Sequence, residues 1–597
     1  MITMRETTSK KILNWAILVV VIANIAVFGS FSLQLISLIS YNEPETGEIL
    51  RVATTNNPVT IDPLDSWDSV SNDIIDQVAE PLLATDITDP TFPIVGRLAE
   101  SWVWLDNTTI EFTLREDVFF HDGLRLTGED VIYTFERINY FGNWSGTLEY
   151  PDVMAFPHSL YKFGDGSPIF NDTLSRVWWD INKATDPLVV RLYLNRPFGP
   201  TEGLLCYTAS YIVGHESTPK YNKLDLGEDL LIGTGPFKLI RYIPNSEVRF
   251  ARWERYWRTG AYWDQIVYVY YKDAVTANNA MLEGKIDWLG KGITALKQDF
   301  IDDPDIIVTG DGVHDYINGS IYWYIAFNSL QVNLTWRKAI SHAFNYSFLI
   351  HNIENDASVR AHSLVPPSFP AHNVSVVGET YNIPYARQIM QSMGLGYTDG
   401  VPWDVGSQVG DKFTPGTNET LWQAANFIPD IGNFSNDQWN FYYRIGSTLM
   451  LDLILRFQED MDLIGISIHV YNPCFWWPCI IDTEQIKKRV HLYFFGWGPD
   501  YFETFTMIDP LVNNFSDSNF AQINDLYLQN LLEKTAGETN TTARYLLYQQ
   551  LQGYIIDVQS YHMPLMYDKI YFVHAKTLKG FPYNCMKSLY WYPTYRE

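Results

Sequence analysis

The amino-acid sequence predicts an α/β protein built from more than one domain. Three observations carry this. The chain has 597 residues, of which 46% are hydrophobic and 19% charged, which is ample for a large core and too apolar for a disordered chain. At roughly 150 residues per domain the length corresponds to about four units. Segments with strand-like alternation also follow segments with helical spacing, and no repeat period appears along the chain, which points to α/β layers rather than a solenoid.

Taken in order, residues 50–54 read as a strand, broken by Asn56-Asn57-Pro58 and turned at Asp62-Pro63. Ile74, Ile75, Val78 and Leu82 share one helical face, with Ser71 as a candidate cap. Residues 109–115 alternate so that Ile110, Phe112 and Leu114 face inward, the pattern of a half-buried strand. His121-Asp122-Gly123 is a turn; Thr127 followed by Asp130 is a capping signal for a helix carrying Val131, Phe135 and Ile138. Residues 139–205 are aromatic and broken by Gly and Pro, and no element is assigned there. A strand at 237–240 pairs with 248–252; then a strand at 266–271, a helix capped by Asp273 and stopped by Gly284, and a strand at 286–289 form a β-α-β unit. Further on, 322–327 is a strand, 336–350 a helix, Ala386, Ile389 and Met390 mark a short helix, and 397–438 is a loop. A helix at 443–463, strands at 466–470 and 491–495, helices at 523–535 and 541–557 and a strand at 564–573 complete the expectation.

Residues 12–40 carry no charge over 29 positions and follow Arg5, Lys10 and Lys11. About 20 apolar residues span a bilayer, so this segment is expected to be one transmembrane signal anchor, with residues 1–11 inside the cell and the bulk outside; a cleaved signal peptide is the alternative. Eleven Asn-x-Ser/Thr sequons, at Asn107, Asn143, Asn171, Asn318, Asn333, Asn345, Asn373, Asn418, Asn433, Asn514 and Asn540, fit an extracellular glycoprotein. The four cysteines, Cys206, Cys474, Cys479 and Cys585, would form two disulfides there, with three possible pairings. Cys474 and Cys479 can close a short loop, and Cys206 with Cys585 would tie the chain end to an earlier strand.

The net charge is −27, which argues against nucleic acid and anionic membrane surfaces as partners. No phosphate-binding loop, dinucleotide fingerprint, zinc-protease helix or nucleophile elbow occurs. No catalytic residue, cofactor or metal site is assigned, and the chain is read as a binding protein rather than an enzyme. The 20 Trp, 38 Tyr and 33 Phe suit binding surfaces for peptides or sugars, although part of them must fill the core.

An ordered set of segments resembles the peptide-type extracellular solute-binding proteins of ABC transporters, the oligopeptide, dipeptide and nickel group. These are Thr60-Ile61-Asp62-Pro63, Glu80-Pro81-Leu82-Leu83, Arg97-Leu98-Ala99-Glu100-Ser101-Trp102 leading into Thr109–Arg115, and Val118-Phe119-Phe120-His121-Asp122-Gly123, with Leu126-Thr127-Gly128-Glu129-Asp130-Val131 after them. Gly233-Thr234-Gly235-Pro236, Tyr256-Trp257, Gly284-Lys285-Ile286-Asp287, Phe327-Asn328, Arg337-Lys338-Ala339-Ile340 and Gly496-Trp497-Gly498-Pro499-Asp500-Tyr501 follow in family order. Two departures stand out: Gly128 replaces the usual Ala, and Phe502-Glu503 replaces the Asp-Pro that often follows the Gly496–Tyr501 pattern.

The resemblance implies a two-lobed periplasmic-binding-protein-like clamp with an inserted subdomain. Lobe 1 would comprise 47–70, 206–317 and 561–597, the inserted subdomain 71–205 and lobe 2 318–560. It implies solute capture by hinge closure and delivery to ABC permease subunits. In peptide-binding members the aspartate of this segment pairs with the ligand's α-ammonium, a role that carries over to Asp500; a turn role is the alternative. Trp497 would wall the pocket, and Gly496 and Gly498 would leave backbone open to a peptide strand. Asn57, Val59 and Thr60 would contribute from lobe 1, Tyr322 and Tyr324 from lobe 2, and Tyr567 near the hinge. Trp497, Tyr322 and Tyr324 can equally be core. An oligosaccharide receptor of the same fold and an extracellular hydrolase are the other readings.

Overall fold

A computed structural model describes residues 47–66, 68–141, 179–182, 186–194, 196–259, 261–290, 297–310, 316–430, 434, 438–443, 448–471 and 489–597. The expected anchor at 12–40, and Cys474 and Cys479, lie outside these residues. Among the described residues no helix is long and apolar enough to cross a membrane.

Three sheets organise the chain from Leu50 onward. The first has seven strands in the order Ile306–Thr309, Phe572–Ala575, Trp288–Leu289, Ile49–Thr54, Gln265–Tyr270, Glu247–Arg252 and Phe237–Ile243. Its Ile49–Thr54 strand is covered on both faces. Leu50 and Val52 pack with Ile74, Ile75 and Val78 of the helix Ser69–Val78, while Ala53 packs with Ala277 and Met281 of the helix Ala274–Leu282. A strand buried on both sides reads as a continuous apolar run, which is how Ile49–Thr54 is written apart from Arg51.

The second sheet is the four-stranded antiparallel set Ala99–Trp104, Thr109–Leu114, Asp186–Tyr193 and Trp179–Asn182. Ile110, Phe112 and Leu114 are buried as the alternation predicts, under Val131, Phe135 and Ile138 of the helix Gly128–Phe141.

The third has six strands in the order Ser358–Arg360, His562–Ile570, Ile317–Phe327, Leu492–Trp497, Trp439–Tyr442 and Ile468–Val470. One face carries Tyr322, Tyr324, Tyr493 and Phe495 against the helix Thr504–Val512; the other carries Ile325, Phe327, Leu492 and Phe494 against Leu334–Ala343 and Thr448–Asp462.

Several expectations are corrected. The strand expected at 564–573 is two strands in two sheets: His562–Ile570 belongs to the six-stranded sheet and Phe572–Ala575 to the seven-stranded one. The chain therefore changes sheets at Tyr571, inside what the resemblance assigns to lobe 1. Helix Ser69–Val78 packs into the core of the seven-stranded sheet. The helix at 336–350 stops at Ala343, because Asn345 caps a new turn through Phe348 N–H and its own N–H bonds Asp460. The 397–438 loop contains two small hairpins and the helix Glu419–Ala424.

Cys206 and Cys585 are both free thiols, so the bridge between them does not exist. They sit in different cores, Cys206 against the four-stranded sheet's cluster and Cys585 against that of the six-stranded sheet. Burial pushes each thiol up to about 12. Several sequon asparagines have structural work instead. Asn333, Asn345 and Asn540 cap helices through their side chains, and Asn345 is 7% exposed. Helix capping alone thus accounts for Asn next to Ser/Thr-bearing first turns at these positions, and they do not support glycosylation.

A buried ion pair ties the turn at Asp62 to the helix Gly128–Phe141. The Arg137 guanidinium forks onto the Asp62 carboxylate at 3.2 and 2.7 Å, with side chains 2% and 0% exposed. Asp62 also accepts the Leu224 N–H at 3.0 Å. Removing one partner of such a pair leaves an uncompensated buried charge, at a cost of about 3–5 kcal/mol. Asp62→Ala is therefore expected to lower the unfolding free energy by that amount in urea titration; a midpoint equal to that of the unaltered protein would refute the role.

Candidate ligand-binding site

The residues singled out in the sequence fall into three groups. The first is a row across the six-stranded sheet. Strand Ile317–Phe327 is antiparallel to both neighbours, and its Tyr322 pairs with Trp497 on one side and Tyr567 on the other. Three positions far apart in sequence thus become lateral neighbours.

The tyrosines of this row are interior, which for Tyr322 and Tyr324 matches the core alternative that their pattern left open. Tyr322, Tyr324 and Tyr567 are 0%, 1% and 1% exposed. Tyr322 and Tyr324 share a face, as their spacing requires, and their rings stack at 4.8 Å. Tyr324 stacks on His562 at 4.5 Å. The Tyr567 hydroxyl donates to Ser363 O at 2.7 Å and accepts the Ser363 N–H at 3.1 Å. The cause is the helix layer containing Thr504–Val512, which covers this face of the sheet.

The second group is the segment that leaves the sheet. Trp497 is half-buried, and its indole N–H donates to Thr506 O at 2.8 Å. Asp500 N–H donates to the Thr506 hydroxyl at 3.4 Å, and that hydroxyl lies 3.5 Å from Asp500 Oδ2. Residues 497–506 are thereby closed into a loop on Thr506, with Gly496, Gly498 and Asp500 exposed. Gly496 is required by its neighbour: a Cβ there would lie 2.8 Å from the Trp323 ring. At Gly498 a Cβ would find ordinary contact, 3.8 Å from Ile321, so its exposed backbone is not dictated by packing.

The third group is held elsewhere. Asn57 exchanges bonds with Asn245, donating from Nδ2 to Asn245 Oδ1 at 2.8 Å and accepting the Asn245 N–H at 2.9 Å. The N–H groups of Val59 and Thr60 donate to Ser71 Oγ at 2.9 and 3.1 Å. Ser71 is thus the anchor of this loop and not the helix cap; Asp68 caps Ser69–Val78. Val59 is 55% exposed and Thr60 5%.

Immediately after Asp500 the chain meets the core of the four-stranded sheet. Tyr501 joins the core of the four-stranded sheet, with its ring 5.9 Å from Tyr207. Phe502 lies 4.5 Å from both Phe92 and Phe369, and Phe505 meets Phe198 edge-on at 5.2 Å. Gly199 N–H donates to Ala536 O at 2.8 Å, and a Cβ at Gly199 would lie 2.1 Å from Glu538 O. Beneath this seam Glu503 accepts the Tyr548 hydroxyl at 2.9 Å, with Arg544 Nε at 3.7 Å. Burial raises the Glu503 carboxyl above its ordinary range against the pull of Arg544. This node holds Glu503 of the Phe502-Glu503 departure from the family pattern. Arg360 was missed outright: its guanidinium donates to the carbonyls of Ala361, Pro564 and Glu379 and lies 3.5 Å over the Tyr346 ring. Nothing local in the sequence marks it.

The chain passes from the six-stranded to the seven-stranded sheet at Tyr571, and the segment beyond Trp497 meets the core of the four-stranded sheet. The match to known proteins identifies the family. Residues 93–519 match the family described as bacterial extracellular solute-binding proteins, family 5 middle, and the chain belongs to that family, the solute receptors of ABC importers. It is 23% identical over 506 residues to heme-binding protein A of Haemophilus influenzae, covering 81% of each chain. It is 24% identical to the glutathione-binding protein of Salmonella typhi over 548 residues, 89% of this chain and 91% of that one. Its fold is similar to that of an ABC transporter-associated periplasmic binding protein of Helicobacter pylori in complex with the peptide STSA. That match has a TM-score of 0.68 at 19% identity and covers 92% of this chain and 98% of the other.

His562 yields a pH prediction. Burial lowers its pKa from 6.5 to about 3, and both ring nitrogens are buried without a hydrogen-bond partner among the described residues. The folded state therefore keeps it neutral, while the unfolded chain takes up a proton below about pH 6.5. Its stabilising contribution is complete above pH 6.5 and is lost as the pH falls toward 3. Between pH 7 and 5 this amounts to about 2 kcal/mol. His562→Phe should flatten the stability profile in that interval by this amount, measured by denaturant titration at both pH values; an unchanged slope would contradict it.

Proposed function

We propose that this protein captures short to medium peptides outside the cell and releases them, chemically unchanged, to the permease of an ABC importer. The observation that carries the reading is the 496–500 segment. A carboxylate stands exposed just beyond a strand end, with the open backbone of Gly496 and Gly498 before it, on a loop pinned at Thr506. That arrangement suits a peptide. The Asp500 carboxylate offers a charge-assisted bond to an α-ammonium, and extended backbone at a strand end offers main-chain pairing to a guest strand. The peptide held by the Helicobacter pylori protein of similar fold supports the same reading.

Capture proceeds by hinge closure. The chain's change of sheet at Tyr571 supplies a connection about which two lobes rotate. The reading retains lobe 1, lobe 2 and inserted subdomain as the moving parts, and the uncharged 12–40 segment as the membrane anchor. Asn57, Val59 and Thr60 contribute from the loop held by Asn245 and Ser71.

Two measurements test this. Short peptides should raise the melting temperature through binding to the native state alone, whereas oligosaccharides should leave it unchanged. Asp500→Asn should weaken peptide binding in calorimetry by about 1.5–3 kcal/mol, the scale of a charged hydrogen bond. Equal affinity in the variant would remove Asp500 from the site, and turnover of a labelled peptide would show the protein to be a hydrolase.

A further inference from the structure

A concave site lies between the segment 86–115 and residues 257–258 and 590. It is a cavity of about 280 Å³, lined by residues drawn from 86–115, 257–258 and 590. No residue of the Trp497–Thr506 loop lines it.

The charge lining it is unusual for a chain of net charge −27. Arg97, Arg115 and Arg258 face the cavity against one carboxylate, Asp86. Asp86 Oδ1 is itself engaged by the N–H and hydroxyl of Thr88, at 3.0 and 2.6 Å. The three guanidiniums are positioned by uncharged groups. Arg97 Nη1 donates to the Tyr590 hydroxyl at 3.2 Å. Arg115 Nε donates to Arg97 O at 2.7 Å, with its Cζ 4.4 Å over Trp257. Arg258 Cζ lies 4.7 Å from the Tyr592 ring and 5.7 Å from Trp257. Among the described residues none of the three forms an ion pair. The nearby buried acid, Glu80, attracts Arg97, but its oxygens already accept the Tyr256 hydroxyl, the Trp257 indole N–H and the Thr234 hydroxyl.

Like charges held together repel one another, and the planar guanidinium fork is matched to oxyanions. A carboxylate is satisfied by one fork, whereas a phosphate group presents oxygens to several. The Tyr590 hydroxyl, accepting from Arg97, keeps its proton for a further donation. The volume lies below the range of drug-sized pockets, and Arg115 already covers the Trp257 ring, so a stacked base is not accommodated. We propose that this cavity binds inorganic phosphate or a small phosphate monoester, at a site separate from that of the transported solute. The bound anion would bridge the segment 86–115 to Trp257–Arg258 and Tyr590.

The test is calorimetric titration of the full chain at low ionic strength with inorganic phosphate, glycerol phosphate and succinate as probes. Saturable binding of about one equivalent of either phosphate compound is expected, with succinate at least tenfold weaker. Arg258→Gln, at an exposed position, should weaken phosphate binding by about tenfold while peptide affinity stays unchanged. The Arg115→Gln/Arg258→Gln double variant should abolish it. Near-ultraviolet circular dichroism of each variant reports folding, and the single variant alone suffices if the double one does not fold. No saturable heat with either phosphate compound, equal phosphate affinity in Arg258→Gln, or succinate binding as tightly as phosphate would overturn the proposal.

Discussion

Strand Ile317–Phe327 is hydrogen-bonded along both edges and covered on both faces, and the arrangement of the rest follows from that burial. A strand in this position has one admissible register, because a slip by one residue would exchange its Tyr322–Tyr324 face with its Ile325–Phe327 face. Its two partners are thereby set as well. Leu492–Trp497 delivers the Gly496–Asp500 segment at its end, and His562–Ile570 carries the chain toward the other sheet. The site and the crossing point are positioned by the same ladder.

The loop beyond Trp497 does two jobs with adjacent residues. Up to Asp500 it is exposed polar backbone and carboxylate; from Tyr501 onward it is an aromatic seam against the core of the four-stranded sheet. Glu503 lies under that seam, buried with Arg544 and Tyr548. A buried carboxylate with this partnership favours a specific arrangement more than it adds net stability. Glu503 belongs to the Phe502-Glu503 pair that departs from the Asp-Pro often found after this segment in the resembled family.

Several buried cations are held individually: Arg137 by Asp62, Arg387 by Glu419 and Arg360 by carbonyls. Arg97, Arg115 and Arg258, which are partly or fully exposed, instead gather at one cavity. The aromatic excess likewise has a mainly structural explanation, since Trp263, Trp288, Trp422, Trp439 and Trp591 are all fully buried.

Local pattern determined much of this. The alternation of Ile110, Phe112 and Leu114, the caps at Asp273 and the strand before Trp497 were legible because each depends on residues within a few positions of one another. The ordered family segments likewise located Asp500 and its glycines. What only the tertiary structure decided was which face of a strand is covered, and by what. The spacing of Tyr322 and Tyr324 places them on one face, but a helix some 180 residues later makes that face interior. The same holds for the free thiols, which lie in separate cores, and for a run of β-type residues that divides between two sheets at Tyr571. It holds also for three arginines at 97, 115 and 258 that share a cavity. Each of these depends on long-range proximity, which periodicity along the chain does not encode.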